Sequence, residues 1–130
     1  EDDGGFQKPM EYWIGAMVFT PDAKMLITGS RDNTIRFFEM PTMNELRVVR
    51  GHNGWVRSLV VSPDGKVLIS AGDDNTIRFW DIATGRNFRT DKTHGGAVRG
   101  IALSPDGLRL ASASWDRTVK LWEGGVEPAE

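Results

Sequence analysis

Neighbouring acidic residues are the first feature of this sequence that could bind a ligand. Asp73 and Asp74 stand together in the stretch SAGDDNTIRFWD, between two apolar runs. A calcium loop of the EF-hand type needs glycine at its sixth position and glutamate at its twelfth. Counted from Asp73, these positions hold Arg78 and Thr84, so the pattern does not predict a calcium site. Adjacent residues of a turn also point apart, which argues against an acid–base pair.

The two histidines, His52 and His94, are the other candidates for chemistry, and no catalytic motif accompanies them. The chain has no cysteine, which excludes disulfides and thiolate metal sites. It contains no Gly-x-Ser-x-Gly elbow, no phosphate-binding P-loop and no dinucleotide fingerprint. We therefore predict no catalytic residue, no metal and no cofactor, and we predict that the protein is not an enzyme.

Composition is that of an ordinary globular protein. Of its 130 residues, 39% are hydrophobic and 26% are charged, and the net charge of −2 has both signs interspersed. This balance does not indicate a polyanion binder. No apolar run approaches the roughly 18 residues of a membrane span, and no secretory signal is visible. We expect a cytoplasmic protein without a membrane contact, and the sequence leaves open whether a segment precedes Glu1.

The candidate residues lie in three tandem repeats, and these repeats must position their side chains. The prolines of TPDAK, SPDGK and SPDGL are Pro21, Pro63 and Pro105, so the period is 42 residues. The stretches GSRDNTIRFF, AGDDNTIRFW and ASWDRTVKLW recur in the same register without an insertion. Fixed self-similarity of this kind is the signature of a repeat architecture.

Each repeat predicts four short strands. In the middle repeat, Val56 to Val61, Val67 to Ala71, Thr76 to Ile82 and Asn87 to Asp91 are separated by turn residues. The inner strands are apolar on both faces, which is typical of a sheet that is packed on both sides. The fourth strand is polar, as expected at a solvent-facing edge. Four strands in about 42 residues are typical of a propeller blade.

The residues now point to a family. The chain resembles the WD-repeat β-propeller family over residues 10 to 122, through the pair Gly51-His52, the SPDG turn, Asp74 with Thr76, and the closing RFWD. The resemblance implies an all-β fold of four-stranded antiparallel blades, three to a chain. The implied blades are residues 10–51, 52–93 and 94–125, with residues 1–9 as a candidate outer strand.

The resemblance also gives the histidines a structural role. Each blade of the family is braced by a hydrogen-bonded tetrad of His, Ser or Thr, Asp and Trp. A buried carboxylate needs such donors. The matching residues are His52, Ser70, Asp74 and Trp80 in the second repeat and His94, Ser112, Asp116 and Trp122 in the third.

The first repeat departs from this tetrad. It retains Thr28 and Asp32, but Met10 replaces the histidine and Phe38 replaces the tryptophan. Asp32 therefore needs other donors, for which we expect the Thr34 hydroxyl or nearby backbone amides.

Surface tryptophans are the candidates for binding. In the family, partners dock on the top face around the central channel, and the positions that the resemblance places there hold Trp13, Trp55 and Ala97 in one row and Arg31, Asp73 and Trp115 in the next. Exposed Trp and Arg are typical of binding hot spots. The alternative is that these indoles pack over the ends of their own blades.

These observations favour a non-catalytic scaffold that mediates protein–protein interaction through the top face of a propeller. The alternative is a purely structural, self-assembling unit, or a fragment of a larger propeller without a ligand of its own. Arg31, Arg57 and Arg99 could contribute to nucleic-acid binding, but the net charge of −2 makes this the weaker hypothesis.

Three blades alone leave two flat apolar faces uncovered, because propellers close with about four to eight blades. We expect a homodimer that closes a ring of six blades, with Gly4 to Lys8 pairing as the outer strand beside Thr118 to Trp122 of the second chain. The competing explanation is an excerpt of a longer propeller.

Overall fold

Eleven strands make up the described part of the chain. The computed structural model describes residue 5 and residues 7–124, and this part contains no helix. The strands are β1 Ile14–Phe19, β2 Met25–Ser30, β3 Thr34–Glu39, β4 Glu45–Arg50, β5 Val56–Val61, β6 Val67–Gly72, β7 Ile77–Asp81, β8 Asn87–Asp91, β9 Val98–Leu103, β10 Arg109–Ser114 and β11 Val119–Glu123. The predicted all-β class is confirmed, and no helix of the described residues could span a membrane.

The strands form three antiparallel sheets, one for each repeat. The first two have four strands in the orders β1-β2-β3-β4 and β5-β6-β7-β8, and the third has the order β11-β10-β9. We call these sheets blades 1, 2 and 3. The innermost strands β1, β5 and β9 lie side by side, so the blades are arranged in an arc.

The recurring Ser-Pro-Asp-Gly sequence closes the hairpin between the first two strands of a blade. In blade 2, the Ser62 hydroxyl donates to Asp64 at 2.6 Å, and the Gly65 amide donates to the Ser62 carbonyl at 2.9 Å. Gly65 has φ 76°, a left-handed conformation that glycine adopts without steric cost. The turn therefore has the residues that its geometry requires.

Two apolar clusters join the three blades. The first combines Ile27 and Phe37 of blade 1 with Leu59 and Trp80 of blade 2. The second lies between blade 2 and blade 3, and Val98 and other residues contribute to it. Blade 2 is therefore buried on both faces, which explains why its inner strands are apolar on both sides.

The outer face of blade 3 is uncovered. Val119 and Leu121 are exposed there, Val119 at 74%. The positions 42 residues earlier are Ile77, exposed at 1%, and Phe79, which blade 3 covers. The same pattern of side chains is thus buried where a following blade is present and exposed where it is absent.

Blade 1 has the complementary open face. Met17 and Phe19 are exposed in β1, whereas Leu59, the counterpart of Met17 in blade 2, is buried against blade 1. The segment that precedes β1 covers part of this face, because the Lys8 ammonium lies 5.9 Å from the Phe38 ring centroid.

The predicted outer strand before β1 falls partly outside the described residues. Gly4 and Phe6 lie outside them, and Gly5, Gln7 and Lys8 are in no strand of this single chain. Within the described part, β11 pairs with β10 alone. The edge that the hypothesis assigns to a second chain is therefore open here.

Candidate functional site

A hydrogen-bonded chain of four side chains braces blade 2. The Trp80 indole donates to the Ser70 hydroxyl at 2.8 Å, and Ser70 Oγ lies 2.7 Å from His52 Nε2. His52 Nδ1 lies 3.1 Å from both carboxylate oxygens of Asp74. A neutral imidazole with its proton on Nδ1 satisfies every group, because Ser70 then donates to Nε2 and Nδ1 donates to the carboxylate.

Asp74, the last of these four side chains, is an anion. It also accepts hydrogen bonds from the Asn53 amide at 2.8 Å and from the Thr76 hydroxyl at 2.8 Å. Burial by itself would raise the pKa of Asp74, but the hydrogen bonds from His52 and the Asn53 amide bring that pKa well below its ordinary value. The carboxylate is therefore ionised at neutral pH and fastens the loop before β5 to the turn between β6 and β7.

Blade 3 repeats the arrangement with one looser contact. His94 Nδ1 lies 2.9 Å from Asp116, and His94 Nε2 lies 2.7 Å from the Ser112 hydroxyl. The Trp122 indole donates to Ser112 at 3.4 Å, a longer contact than its counterpart in blade 2. Hydrogen bonds from Thr118 and His94 lower the pKa of Asp116. The structure thus brings together both complete sets of tetrad residues.

Asp32 of blade 1 has donors from its own loop. It accepts from the Thr34 hydroxyl at 2.6 Å and the Thr34 amide at 3.2 Å, and also from Arg36 and the Ser30 hydroxyl. Burial would raise the pKa of Asp32, but the hydrogen bonds from Ser30, Thr34 and Arg36 lower it to about 2. The expected Thr34 partner is present, and Ser30 and Arg36 are further donors that the sequence pattern did not predict.

The Thr28 hydroxyl lacks the hydrogen-bond partners that a tetrad histidine and tryptophan would supply. Its hydroxyl is buried, and no hydrogen-bond partner reaches it in the described structure. Met10, where the tetrad would have histidine, lines the same cavity of about 450 Å³ as Thr28. A buried hydroxyl without a partner costs free energy instead of contributing it.

This contrast gives a paired prediction. Thr28→Val should leave the free energy of unfolding within about 0.5 kcal/mol of the original or raise it, because no hydrogen bond is lost. Ser70→Ala should lower it by about 1–2 kcal/mol, because Trp80 and His52 lose their shared partner. Urea unfolding of both variants measures the difference, and equal losses would show that the Thr28 hydroxyl is hydrogen-bonded in solution.

Asp73 and Asp74 do not share a site. Asp74 points to His52, whereas Asp73 is held by Arg57 at 3.0 Å. In the described part of the chain, no group of three or more histidine, aspartate or glutamate side chains could hold a metal ion. The arrangement supports a turn with a structural carboxylate and does not assemble a reacting centre.

The predicted surface positions lie together at one end of the arc. We call this end, where β1, β5 and β9 begin, the top face. Backbone hydrogen bonds of 2.9 Å join the two predicted positions in each blade, from Arg31 to Trp13, from Asp73 to Trp55 and from Trp115 to Ala97. The three pairs therefore occupy equivalent places in the three blades.

Arginines connect these positions across the blade boundaries. The Arg31 guanidinium lies 5.1 Å from the Trp13 ring centroid and 5.4 Å from that of Trp55. Arg57 stacks on Trp55 at 3.7 Å and binds Asp73 through two nitrogens. These distances are within the range of cation–π contacts. One continuous set of contacts thus runs from blade 1 to blade 2.

Arg99 extends the set to blade 3. Its guanidinium lies 4.3 Å from the Trp115 ring centroid, and its Nε lies 4.0 Å from Asp73. The sequence pattern suggested Arg57 and Arg99 only as contacts for nucleic acid. Each lies two residues after a predicted surface position, Trp55 or Ala97, and this shared offset could have predicted their place on the top face. We call the whole set the top-face cluster, which comprises Trp13, Arg31, Trp55, Arg57, Asp73, Arg99 and Trp115.

The tryptophans of the cluster differ in exposure. Trp13 is 67% exposed and Trp115 is 71% exposed. Trp55 is half-buried, and its indole nitrogen is buried without a hydrogen-bond partner in the described structure. It lies against Gly15, where an added Cβ would be 2.3 Å from the indole nitrogen. Trp55 therefore packs on blade 1, while most of the Trp13 and Trp115 side chains remains exposed.

Comparison with known families agrees with this geometry. The sequence model described as WD domain, G-beta repeat matches residues 8–39, 43–81 and 85–123. The chain belongs to the WD40 family. Each WD40 match ends with the third strand of a blade, at the ends of β3, β7 and β11. WD40 repeats generally serve as non-catalytic scaffolds for protein interaction.

Two solved WD40 structures are similar to this chain. One is the crystal structure of the RRP9 WD40 repeats, and the other is the structure of U3-55K. Each shares 28% sequence identity with this chain at a TM-score of 0.84, over 89% of this chain and 37% of the other. This WD40 chain thus spans little more than a third of the solved chains that it matches.

Proposed function

We propose that this chain is a non-catalytic interaction scaffold that binds a protein partner through the top-face cluster. The observation that carries the proposal is the continuous set of contacts across all three blades, in which Trp–Arg pairs are joined to blade 3 by the Asp73–Arg99 ion pair. Hot spots of protein interfaces are enriched in Trp, Tyr and Arg. Two exposed indoles frame the cluster, and the contacts between blades hold the arginines in place.

The rigid setting supports binding. Arg57 is fixed by Asp73 on one side and by Trp55 on the other, so little side-chain entropy is lost when a partner docks. Hydrogen bonds of the tetrads fasten the adjoining turns, since Asp74 and Asp116 directly follow Asp73 and Trp115 in the chain. The tetrads therefore support the surface that the partner would contact.

Capture of partners by an immobilised chain tests the proposal. Proteins retained by the original chain should be lost with the Trp13→Ser/Trp115→Ser double variant, because both indoles are exposed and on the top face. The melting temperature should stay within a few degrees. Leu108→Ser is the matched control, since Leu108 is also exposed but lies in the turn at the opposite end of blade 3. Equal capture by all three chains would show that partners do not dock through the top face, and no capture by any of them would favour the purely structural role.

The open faces of blades 1 and 3 support a second proposal, a homodimer that closes a ring of six blades. The blade 2 residues equivalent to Val119 and Leu121 are buried under blade 3. The blade 2 residue equivalent to Met17 is buried against blade 1. Two copies related by a two-fold axis present two matching pairs of such faces, so a single symmetry operation covers all four. The remaining blades of a longer propeller would cover them equally well.

Light scattering after size exclusion shows whether a second copy of the chain covers the open faces. For the 130-residue chain, the dimer predicts twice the monomer mass of 14.4 kDa. Leu121→Lys should reduce the particle to the monomer mass without loss of β-sheet content, because Leu121 is exposed in the single chain. Leu108→Lys places the same charge away from the open faces and should remain dimeric. A folded 14.4 kDa particle at micromolar concentration of the original chain would rule out the ring.

A further inference from the structure

The charges of the top-face cluster are not balanced. It contains three guanidinium groups but one carboxylate, that of Asp73, which pairs with Arg57 and Arg99. Arg57 binds this carboxylate at 3.0 Å, and Arg99 reaches it only at 4.0 Å. Arg31 contacts the Trp13 and Trp55 rings, and no carboxylate of the described residues pairs with it. The seven residues of the cluster therefore carry a formal charge of +2, from three arginines and one aspartate, on a chain whose net charge is −2.

An arginine that lies over an aromatic ring can still bind a carboxylate. The N–H groups of its planar guanidinium lie in the guanidinium plane and form a fork that matches a carboxylate. A carboxylate binds in that plane, through two parallel hydrogen bonds. Arg31 and Arg99 lie on either side of the Arg57–Asp73 pair, and the only carboxylate of the described residues that pairs with either of them is Asp73, at 4.0 Å from Arg99.

From this geometry we propose that the ligand of the top-face cluster is an acidic peptide segment, whose carboxylates bind Arg31 and Arg99. The inference rests on the proposed docking through the top face and adds the chemistry of the partner. In the free protein, Asp73 is the cluster's own carboxylate, so it competes with the acidic ligand for Arg57 and Arg99.

The same side chains are less suited to nucleic acid. Sequence-tolerant binding of single strands depends on bases that stack on open aromatic faces. Here each of the three indoles already has a guanidinium over it, and Trp55 has two. An arginine thus occupies one side of each indole, and the net charge of −2 gives little attraction for a phosphate backbone.

Fluorescence anisotropy with labelled poly-glutamate tests the inference, and poly-glutamine is the uncharged reference. Poly-glutamate should bind the original chain, and added salt should weaken it, because the contacts are exposed charges. Arg31→Gln and Arg99→Gln should each weaken binding about fivefold. Asp73→Asn should strengthen it, because the competing carboxylate is removed.

Arg89→Gln is the matched control variant. Arg89 also lies over an aromatic ring, at 4.6 Å from Phe79, but it belongs to the outer strand β8. It should bind poly-glutamate as the original chain does. Equal binding of poly-glutamine, an equal loss with Arg89→Gln, or preferential binding of labelled oligouridylate would each overturn the inference.

The partner-capture experiment separates the two proposals. If capture is lost with Trp13→Ser/Trp115→Ser but unchanged by Arg31→Gln/Arg99→Gln, docking through the top face stands and the acidic ligand is wrong. If capture does not respond to the tryptophans, the proposed function itself is wrong.

Discussion

Asp74→Ala is expected to lower the free energy of unfolding by about 3 kcal/mol, and Asp32→Ala by about 1 kcal/mol. The Asp74 side chain is 8% exposed and joins residues far apart in the sequence, through His52 and Asn53. The Asp32 side chain is 35% exposed, and its donors are within four residues of it. Removing Asp74 thus leaves buried donors unpaired, whereas water can replace Asp32. Urea unfolding of both variants measures the difference.

The dependence of stability on pH provides the control. Because the folded-state pKa of Asp74 is below the unfolded value of 3.8, its contribution is present above about pH 4 and is lost as the pH falls through the folded value. Asp74→Asn retains the size of the side chain but does not titrate, so its stability should decline less between pH 4 and pH 2. Equal losses in the two alanine variants at pH 7 would contradict the ranking of the tetrads.

Gly15→Ala should lower the free energy of unfolding by about 2–3 kcal/mol, as overpacking of a dense interface does. The added Cβ would lie 2.3 Å from the Trp55 indole nitrogen and 2.4 Å from the Val56 carbonyl oxygen. The indole could rotate, but the carbonyl belongs to the backbone of β5 and cannot move alone. The two innermost strands would have to separate, so thermal and urea unfolding should both show the loss.

Gly100→Ala is the matched control for this effect. Gly100 lies in β9, the innermost strand of blade 3, and an added Cβ there meets nothing within 4 Å. Its free energy of unfolding should change by less than about 0.5 kcal/mol. Trp55 fluorescence should shift in Gly15→Ala alone. A fully stable Gly15→Ala variant would show that blades 1 and 2 are less tightly joined than their contacts indicate.

Local sequence determined the blades. Strand period, the Ser-Pro-Asp-Gly turns and the constant spacing are local properties, so β5 runs over Val56–Val61 as predicted. The tetrad residues could also be named, because the family resemblance supplies the tetrad pattern and the repeat aligns His52 with His94 and Asp74 with Asp116. A fixed offset in the sequence becomes a fixed place in each blade whenever the blades are copies of one another.

Tertiary structure decided everything that depends on contact between blades. The sequence placed Trp13, Trp55 and Trp115 at equivalent surfaces, yet Trp55 is half-buried because Gly15, two residues after Trp13, gives it room on blade 1. The joining of Arg31 to Trp55 likewise crosses a blade boundary, and no pattern within one repeat encodes it. Packing between neighbours depends on the distance between backbones, and that distance exists only once the blades have docked.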